Sequence, residues 1–174
     1  AFYQVNLFGT LNLIKALQQL PVAPQKILLA SSANVYGNIK ASASISECLC
    51  PKPVNHYAMS KLAMEHMALT YINQLPIVIT RPFNYTGVGH DNRFVVPKIV
   101  EHFAKGATKI ELGNLDVERE YNDVRMVNDA YLKLLSMGKS GEIYNVCSGR
   151  TFSLRVVVSM LENIVGRPMS LTVN

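Results

Sequence analysis

Tyr57 and Lys61 are the residues whose types and spacing most directly suggest chemistry. They lie four apart in Tyr57-Ala58-Met59-Ser60-Lys61, and helix-forming residues follow without Gly or Pro for more than three turns. A helix is expected there, and residues four apart on a helix share a face. A free tyrosine has a pKa of about 10 and is a poor base at neutral pH. Bringing a phenol near 7 takes about 3 units, roughly 4 kcal/mol. A lysine cation about 4 Å away supplies roughly that much at an effective dielectric near 20. The pair is therefore a candidate proton-transfer device, with Lys61 favouring the phenolate. Ser32 follows the apolar run Lys26-Ile27-Leu28-Leu29-Ala30. At the end of a short buried strand, its hydroxyl could hydrogen-bond the same substrate oxygen. Taken alone, Tyr-x-x-x-Lys is short enough to be an ordinary helix face.

The elements that must position these residues read as alternating helix and strand. Residues 1–20 carry Leu7, Leu11, Ile14 and Leu17 at helical spacing and end at Pro21. The serine strand follows, then a loop from about Asn38 to Asn55 rich in Ser, Ala and Pro, then the Tyr57 helix. Ile77-Val78-Ile79-Thr80 is a second short apolar strand, leading into Arg81-Pro82-Phe83-Asn84. Asp91-Asn92 is expected to cap a helix through about Ala104. Ile110 to Leu115 reads as a strand and turn, Val127 to Leu134 as an amphipathic helix and Glu142 to Gly149 as a late strand. Ser153 is expected to cap a last helix that Gly166 and Pro168 end. Strands alternating with helices imply an α/β fold with a parallel sheet.

The combination of motifs is more specific than any one of them. Ser31-Ser32-x-x-Val35-Tyr36-Gly37 followed by Tyr57-x-x-x-Lys61 resembles the extended short-chain dehydrogenase/reductases, in their NAD-dependent nucleotide-sugar epimerase, dehydratase and reductase group. The resemblance implies catalytic Ser32, Tyr57 and Lys61, with Tyr57 and Lys61 also holding a nicotinamide cofactor, NAD or NADP. Val5-Asn6-Leu7-Phe8-Gly9-Thr10 resembles that family's Asn-x-x-Gly-Thr helix, so Asn6 is expected near the cofactor and Tyr57. Gly9, costly inside a helix, is expected to pack closely on a neighbour. Arg-Pro-Phe-Asn resembles the segment flanking the nicotinamide, which implies that Pro82 walls the cofactor and Asn84 binds substrate. Glu47 resembles an acidic loop residue and is expected to be structural, as is the loop histidine His56.

Gly113-Asn114-Leu115-Asp116-x-x-Arg119-x-Tyr121-x-Asp123-Val124 resembles the GDP-sugar branch, that of GDP-4-keto-6-deoxy-mannose reductases and GDP-mannose 4,6-dehydratases. It implies that Arg119 grips a diphosphate, as a planar fork can do bidentately. A surface arginine paired with Glu118 or Glu120 is the alternative. Family dehydratases carry a Glu where this chain has Asn34, and neutral Asn cannot be that base. The expected reaction is 4-keto reduction of a GDP-linked 6-deoxyhexose. A 4-epimerase, a 4,6-dehydratase or a non-catalytic binding module are the alternatives.

The resemblance implies the C-terminal part of a Rossmann-type parallel sheet with a small substrate-binding α/β region. Residues 1–82 would be the remainder of the dinucleotide-binding domain and 83–174 mainly the substrate region, with segments returning to the sheet. A dinucleotide site needs a Gly-rich turn at a helix N-terminus. The sequence has neither G-x-G-x-x-G nor G-x-x-G-x-x-G, so the chain is expected to be a fragment, inactive alone. A bare sheet edge invites association, and a homodimer is expected.

Composition narrows the remaining classes. The 174 residues, 49% hydrophobic and 17% charged, suffice for a globular core. A net charge of +5 suits an anionic ligand. The absence of a clustered Lys/Arg tract argues against nucleic acid. No apolar run approaches 18 residues, and no secretory leader opens the chain, so a cytoplasmic protein without membrane contact is expected. Cys48, Cys50 and Cys147 suggest ordinary thiols in a reducing compartment, and a lone Cys-x-Cys gives no metal site.

Overall fold

The computed structural model describes residues 1–39 and 44–173. In chain order the strands are β1 (Ile27–Ala30), β2 (Ile77–Pro82), β3 (Tyr85–Thr86), β4 (Lys109–Leu112), β5 (Glu118–Arg119), β6 (Asn122–Asp123), β7 (Ile143–Val146), β8 (Phe152–Ser153) and β9 (Ser170–Val173). The helices are α1 (Thr10–Gln18), α2 (His56–Leu69), α3 (Val95–Ala104), α4 (Val124–Met137) and α5 (Leu154–Val165). The chain divides into two units, one of residues 1–83 and 126–147, the other of 84–125 and 148–174.

In the first unit, β1, β2 and β7 form a parallel sheet in the order β1-β2-β7. All six residues of β2 are buried, as expected of a central parallel strand covered on both faces. Ile27, Leu29, Ile77 and Ile79 pack with Ile14 of α1 and with Met64 and Ala68 of α2. The alternation along the strands thus turns one sheet face towards these two helices.

Residues before α1 depart from the expected continuous α-helix: Gln4–Gly9 form a π-helical turn. Thr10 sends its backbone N–H to Leu7, and its hydroxyl donates to the Asn6 carbonyl at 2.8 Å. Gly9 does not pack tightly. A Cβ there would meet only the Gln4 carbonyl at 3.6 Å, an ordinary contact. The glycine is exposed in this unit, so the steric reason expected for it is missing.

In the second unit, β4 and β9 pair in parallel across α5. Ile99 and Phe103 of α3, Ile110 and Leu112 of β4, and Leu154 and Val158 of α5 form its core. Short ladders join β3 to β6 and β5 to β8. The α3 helix starts at Val95, later than the Asp91-Asn92 cap predicts, and has no side-chain cap. Asp91 instead accepts the Arg93 N–H at 2.8 Å and its Nε–H at 2.9 Å, closing a local turn. Ser153 does cap α5, accepting from Val156 N–H at 3.2 Å, and Gly166 ends it with φ of 73°.

Candidate active site

The β1 strand ends at Ala30, and the chain then makes a short 3₁₀ turn over Ala33–Tyr36. Ser32 caps that turn: its Oγ accepts the Asn34 N–H at 3.2 Å. A capping hydroxyl still has its own proton to donate. Two residues back, the Ala30 carbonyl accepts the Lys61 ammonium at 2.8 Å. Lys61 is half-buried, and burial pushes its pKa below the ordinary lysine value. That contact brings α2 to the carboxyl end of β1, where ligands sit in open parallel sheets.

Asn55 caps α2 through the Ala58 N–H at 2.9 Å, so Tyr57 falls in the first turn, and His56 is a helix residue rather than a loop residue. The His56 Nδ1 lies 3.2 Å from the Tyr3 hydroxyl. The Tyr57 ring is half-buried and meets Phe2 edge-on, with centroids 5.7 Å apart. Asn6 is brought to the same turn. Its Nδ2 donates to Ser60 Oγ at 2.9 Å, and Ser60 Oγ donates to the Tyr57 carbonyl at 2.7 Å. The side chain thus acts on the backbone that carries Tyr57. Pro82 ends the buried strand β2.

Glu47, expected to be structural, accepts the Asn145 N–H at 2.8 Å. It belongs to a network that the motifs did not reveal. Arg81 grips Glu65 through Nε at 3.0 Å and Nη2 at 2.6 Å, and its Nη1 donates to the Tyr36 hydroxyl at 3.0 Å. Burial pulls the Arg81 guanidinium down, but the hydrogen bonds to Glu65 and Tyr36 outweigh it and hold it above its ordinary value. The available signal was Glu65 among the apolar residues of a helix face, together with an arginine ending an apolar strand. Charges placed in two buried stripes require each other.

The second unit holds the other two expected residues. Asn84 is exposed, and its carbonyl accepts the Asn122 N–H at 2.9 Å. Arg119 is exposed on β5, opposite Phe152, and its Nη1 donates to the Glu118 carbonyl at 2.9 Å. Neither acidic neighbour takes its guanidinium. Glu118 accepts from Thr151 at 2.7 Å. Glu120 is buried and takes Asn122 Nδ2 at 2.8 Å, Ser148 N–H at 2.9 Å and Gly149 N–H at 3.0 Å.

Three residues on, the Asp123 carboxylate is clasped by Arg125, with Nη2 at 2.5 Å and the backbone N–H at 2.8 Å. Arg125 holds its pKa at about 2. A depressed carboxyl contributes stability above the unfolded pKa of about 4, a contribution lost as pH falls through the folded value. An NMR titration should place Asp123 at about 2, and Arg125→Ala should return it to the ordinary carboxylate range. An unchanged titration in that variant would contradict the contact.

Residues 1–147 match the sequence model of the NAD dependent epimerase/dehydratase family. The chain belongs to that family. One relative is the GDP-6-deoxy-D-talose 4-dehydrogenase of Aggregatibacter actinomycetemcomitans, 40% identical over 99% of this chain and 58% of its own length. Another is the GDP-6-deoxy-D-mannose reductase of Pseudomonas aeruginosa, 39% identical over 92% of this chain and 55% of its own. Among solved structures, RMD from Pseudomonas aeruginosa complexed with NADPH has a TM-score of 0.93 at 37% identity, over 99% of this chain and 60% of that one. A Burkholderia cenocepacia structure reaches 0.96 at 50% identity, over 99% and 56%. The chain therefore spans little more than half the length of these family members. The parallel β1-β2-β7 sheet of the first unit belongs to the part of their Rossmann-type fold that this chain covers.

Proposed function

We propose that the chain is the C-terminal part of an NAD(P)-dependent nucleotide-sugar oxidoreductase that reduces a 4-keto GDP-6-deoxyhexose. The observation that carries the proposal is the Lys61–Ala30 contact, which sets the Tyr57 helix against the strand end that leads into Ser32. The names of the two GDP-sugar relatives support the substrate class. A nicotinamide cofactor would supply the hydride when bound.

The residues present suit such a group. Ser31 Oγ, one residue past the end of β1, and Thr80 Oγ1, two residues before the end of β2, are buried without a hydrogen-bond partner among the described residues. Buried polar groups of that kind call for an explanation, and a ligand beyond the strand ends is one. Tyr57, Lys61 and Pro82 would hold the cofactor, with Asn6 fixing the Tyr57 turn. An ammonium has three donors, and one is spent on Ala30. Tyr57 would deliver the proton to the sugar oxygen while the Ser32 proton holds that oxygen. Arg119 would take a diphosphate bidentately and Asn84 the sugar or phosphate.

Asn34 in place of a carboxylate argues against 4,6-dehydration, since a neutral amide cannot remove a proton. Exposed Phe2, Val5, Phe8 and Leu13 on the first helical run are compatible with a homodimer. No helix of the described residues is long and apolar enough to cross a membrane, and the cytoplasm is the proposed compartment.

The test is NADPH oxidation by the full-length protein with a panel of 4-keto nucleotide sugars. Turnover with GDP-linked 4-keto-6-deoxyhexoses is expected. No turnover with any member of the panel would remove the reductase reading.

A further inference from the structure

Tyr57, Lys61 and Glu65 follow one another at intervals of four on α2. They form one stripe along the helix. Two of the three are clamped to the sheet. Lys61 binds the carbonyl of the last residue of β1. Glu65, one turn further, is held by both Nε and Nη2 of Arg81 in β2. Clamps on successive turns leave the helix no freedom to roll about its axis. The third member of the stripe, Tyr57, is aimed by that constraint.

The same guanidinium also holds the segment that carries Ser32. Its Nη1 donates to the Tyr36 hydroxyl at 3.0 Å, and its carbon lies 4.8 Å from the Tyr36 ring centroid. Tyr36 closes the turn that Ser32 caps. The Tyr36 hydroxyl donates onward to Asn145 Oδ1 at 2.8 Å, and Asn145 Nδ2 donates to the Ile45 carbonyl at 2.9 Å. Arg81 and Glu65 side chains are only 4% and 1% exposed. A buried ion pair is a poor way to gain stability compared with packed apolar side chains, but a forked pair fixes direction as well as distance.

We propose that Arg81 is a positioning residue for the reaction, holding the Tyr57–Lys61 helix through Glu65 and the Ser32 turn through Tyr36 in one register. It touches no reacting atom. The proposal rests on the reading of Ser32, Tyr57 and Lys61 given above.

The test uses the full-length protein with NADPH and GDP-4-keto-6-deoxy-D-mannose. Tyr36→Phe keeps the ring under the guanidinium and deletes only the hydroxyl; Glu65→Gln keeps the shape and deletes the charge. Each is expected to lower kcat about tenfold or more with KM changed less than about threefold, since small misplacements of reacting groups are costly. The primary isotope effect with deuterated NADPH should rise as the chemical step becomes limiting. Both variants cut bonds of one guanidinium, while Tyr36→Phe also removes the hydroxyl's bond to Asn145, so the double variant should lose less than the product of the two single losses, a departure from additivity. In protein free of cofactor, the Val35 and Gly37 amides, which close the Ser32 turn onto Ser32 and Asn34 carbonyls, should exchange faster in Tyr36→Phe.

If Glu65→Gln does not fold, Tyr36→Phe decides alone. A folded Tyr36→Phe with kcat within twofold of wild type and an unchanged isotope effect overturns the positioning role. If Tyr57→Phe is inactive in the same assay, that failure leaves the active-site reading standing. Full turnover in Tyr57→Phe overturns the active-site reading and the positioning role together.

Discussion

Replacing Tyr57 with Phe in the full-length protein is expected to lower kcat by about 10²- to 10⁴-fold, the range contributed by a positioned acid or base. The fold should not notice. The Tyr57 ring keeps its edge-on contact with Phe2. The backbone carbonyl that receives the Ser60 hydroxyl is unchanged by the substitution. The lost hydroxyl has no hydrogen-bond partner among the described residues, so the thermal midpoint should stay within about 2 °C, the size of a surface-level change. The informative measurement pairs turnover with thermal unfolding on the same sample. A variant that loses activity only in step with its folded fraction would reassign Tyr57 to structure. A variant that is fully active would end the proposed role of Tyr57 as the proton donor.

The largest expected effect on stability lies at Gly37. Its φ is 75° with ψ of −153°, backbone that side chains other than glycine rarely adopt. A Cβ at this position would sit 2.0 Å from the Lys52 carbonyl oxygen. That carbonyl belongs to backbone tied down nearby, because Lys52 N–H donates to the Val35 carbonyl at 2.9 Å. Strain and clash therefore add, and neither can be relieved by turning a side chain. Gly37→Ala is expected to cost at least about 3 kcal/mol, or to prevent folding. Gly89→Ala is the control. Gly89 has φ of 81°, but a Cβ there meets nothing within 4 Å. It should cost about 1 kcal/mol, the conformational part alone. Urea midpoints for the two variants would check the comparison, and equal costs would show that the approach of Lys52 is unimportant.

Gly37 also explains what the Val-Tyr-Gly motif is for in this chain. Val35 is fully buried, Tyr36 bonds Arg81 and Asn145, and Gly37 lets the chain turn under the Lys52 carbonyl. The motif was readable as a signature, but its physical content was not. Partners from residues 52, 81 and 145 converge on three consecutive positions, and spacing along a chain carries no record of such convergence. Gly9 shows the reverse error. A glycine within a helical pattern suggested tight packing, whereas the structure has a π turn where a Cβ would make only one ordinary contact, 3.6 Å from the Gln4 carbonyl. Asp91 shows a third kind. Asp and Asn before an apolar run satisfy a helix-start pattern, yet the local turn to Arg93 captured the carboxylate and the helix began later.

By itself the sequence determined the local events. Apolar runs bounded by polar loops specified β1 and β2, the second buried along its whole length and the first at Ile27 and Leu29. Uninterrupted helix formers specified α2, and the interval of four put Tyr57 and Lys61 on one face. What only the tertiary structure decided was which groups those faces meet. The Lys61 ammonium rests on a carbonyl of β1, Asn6 reaches the turn under Tyr57, and Glu65 and Arg81 find each other across an intervening loop. The reason is physical. Local propensity acts within a few residues and can be read along the chain. The pairing of buried charges is enforced only when folding has removed water and set opposite charges in contact.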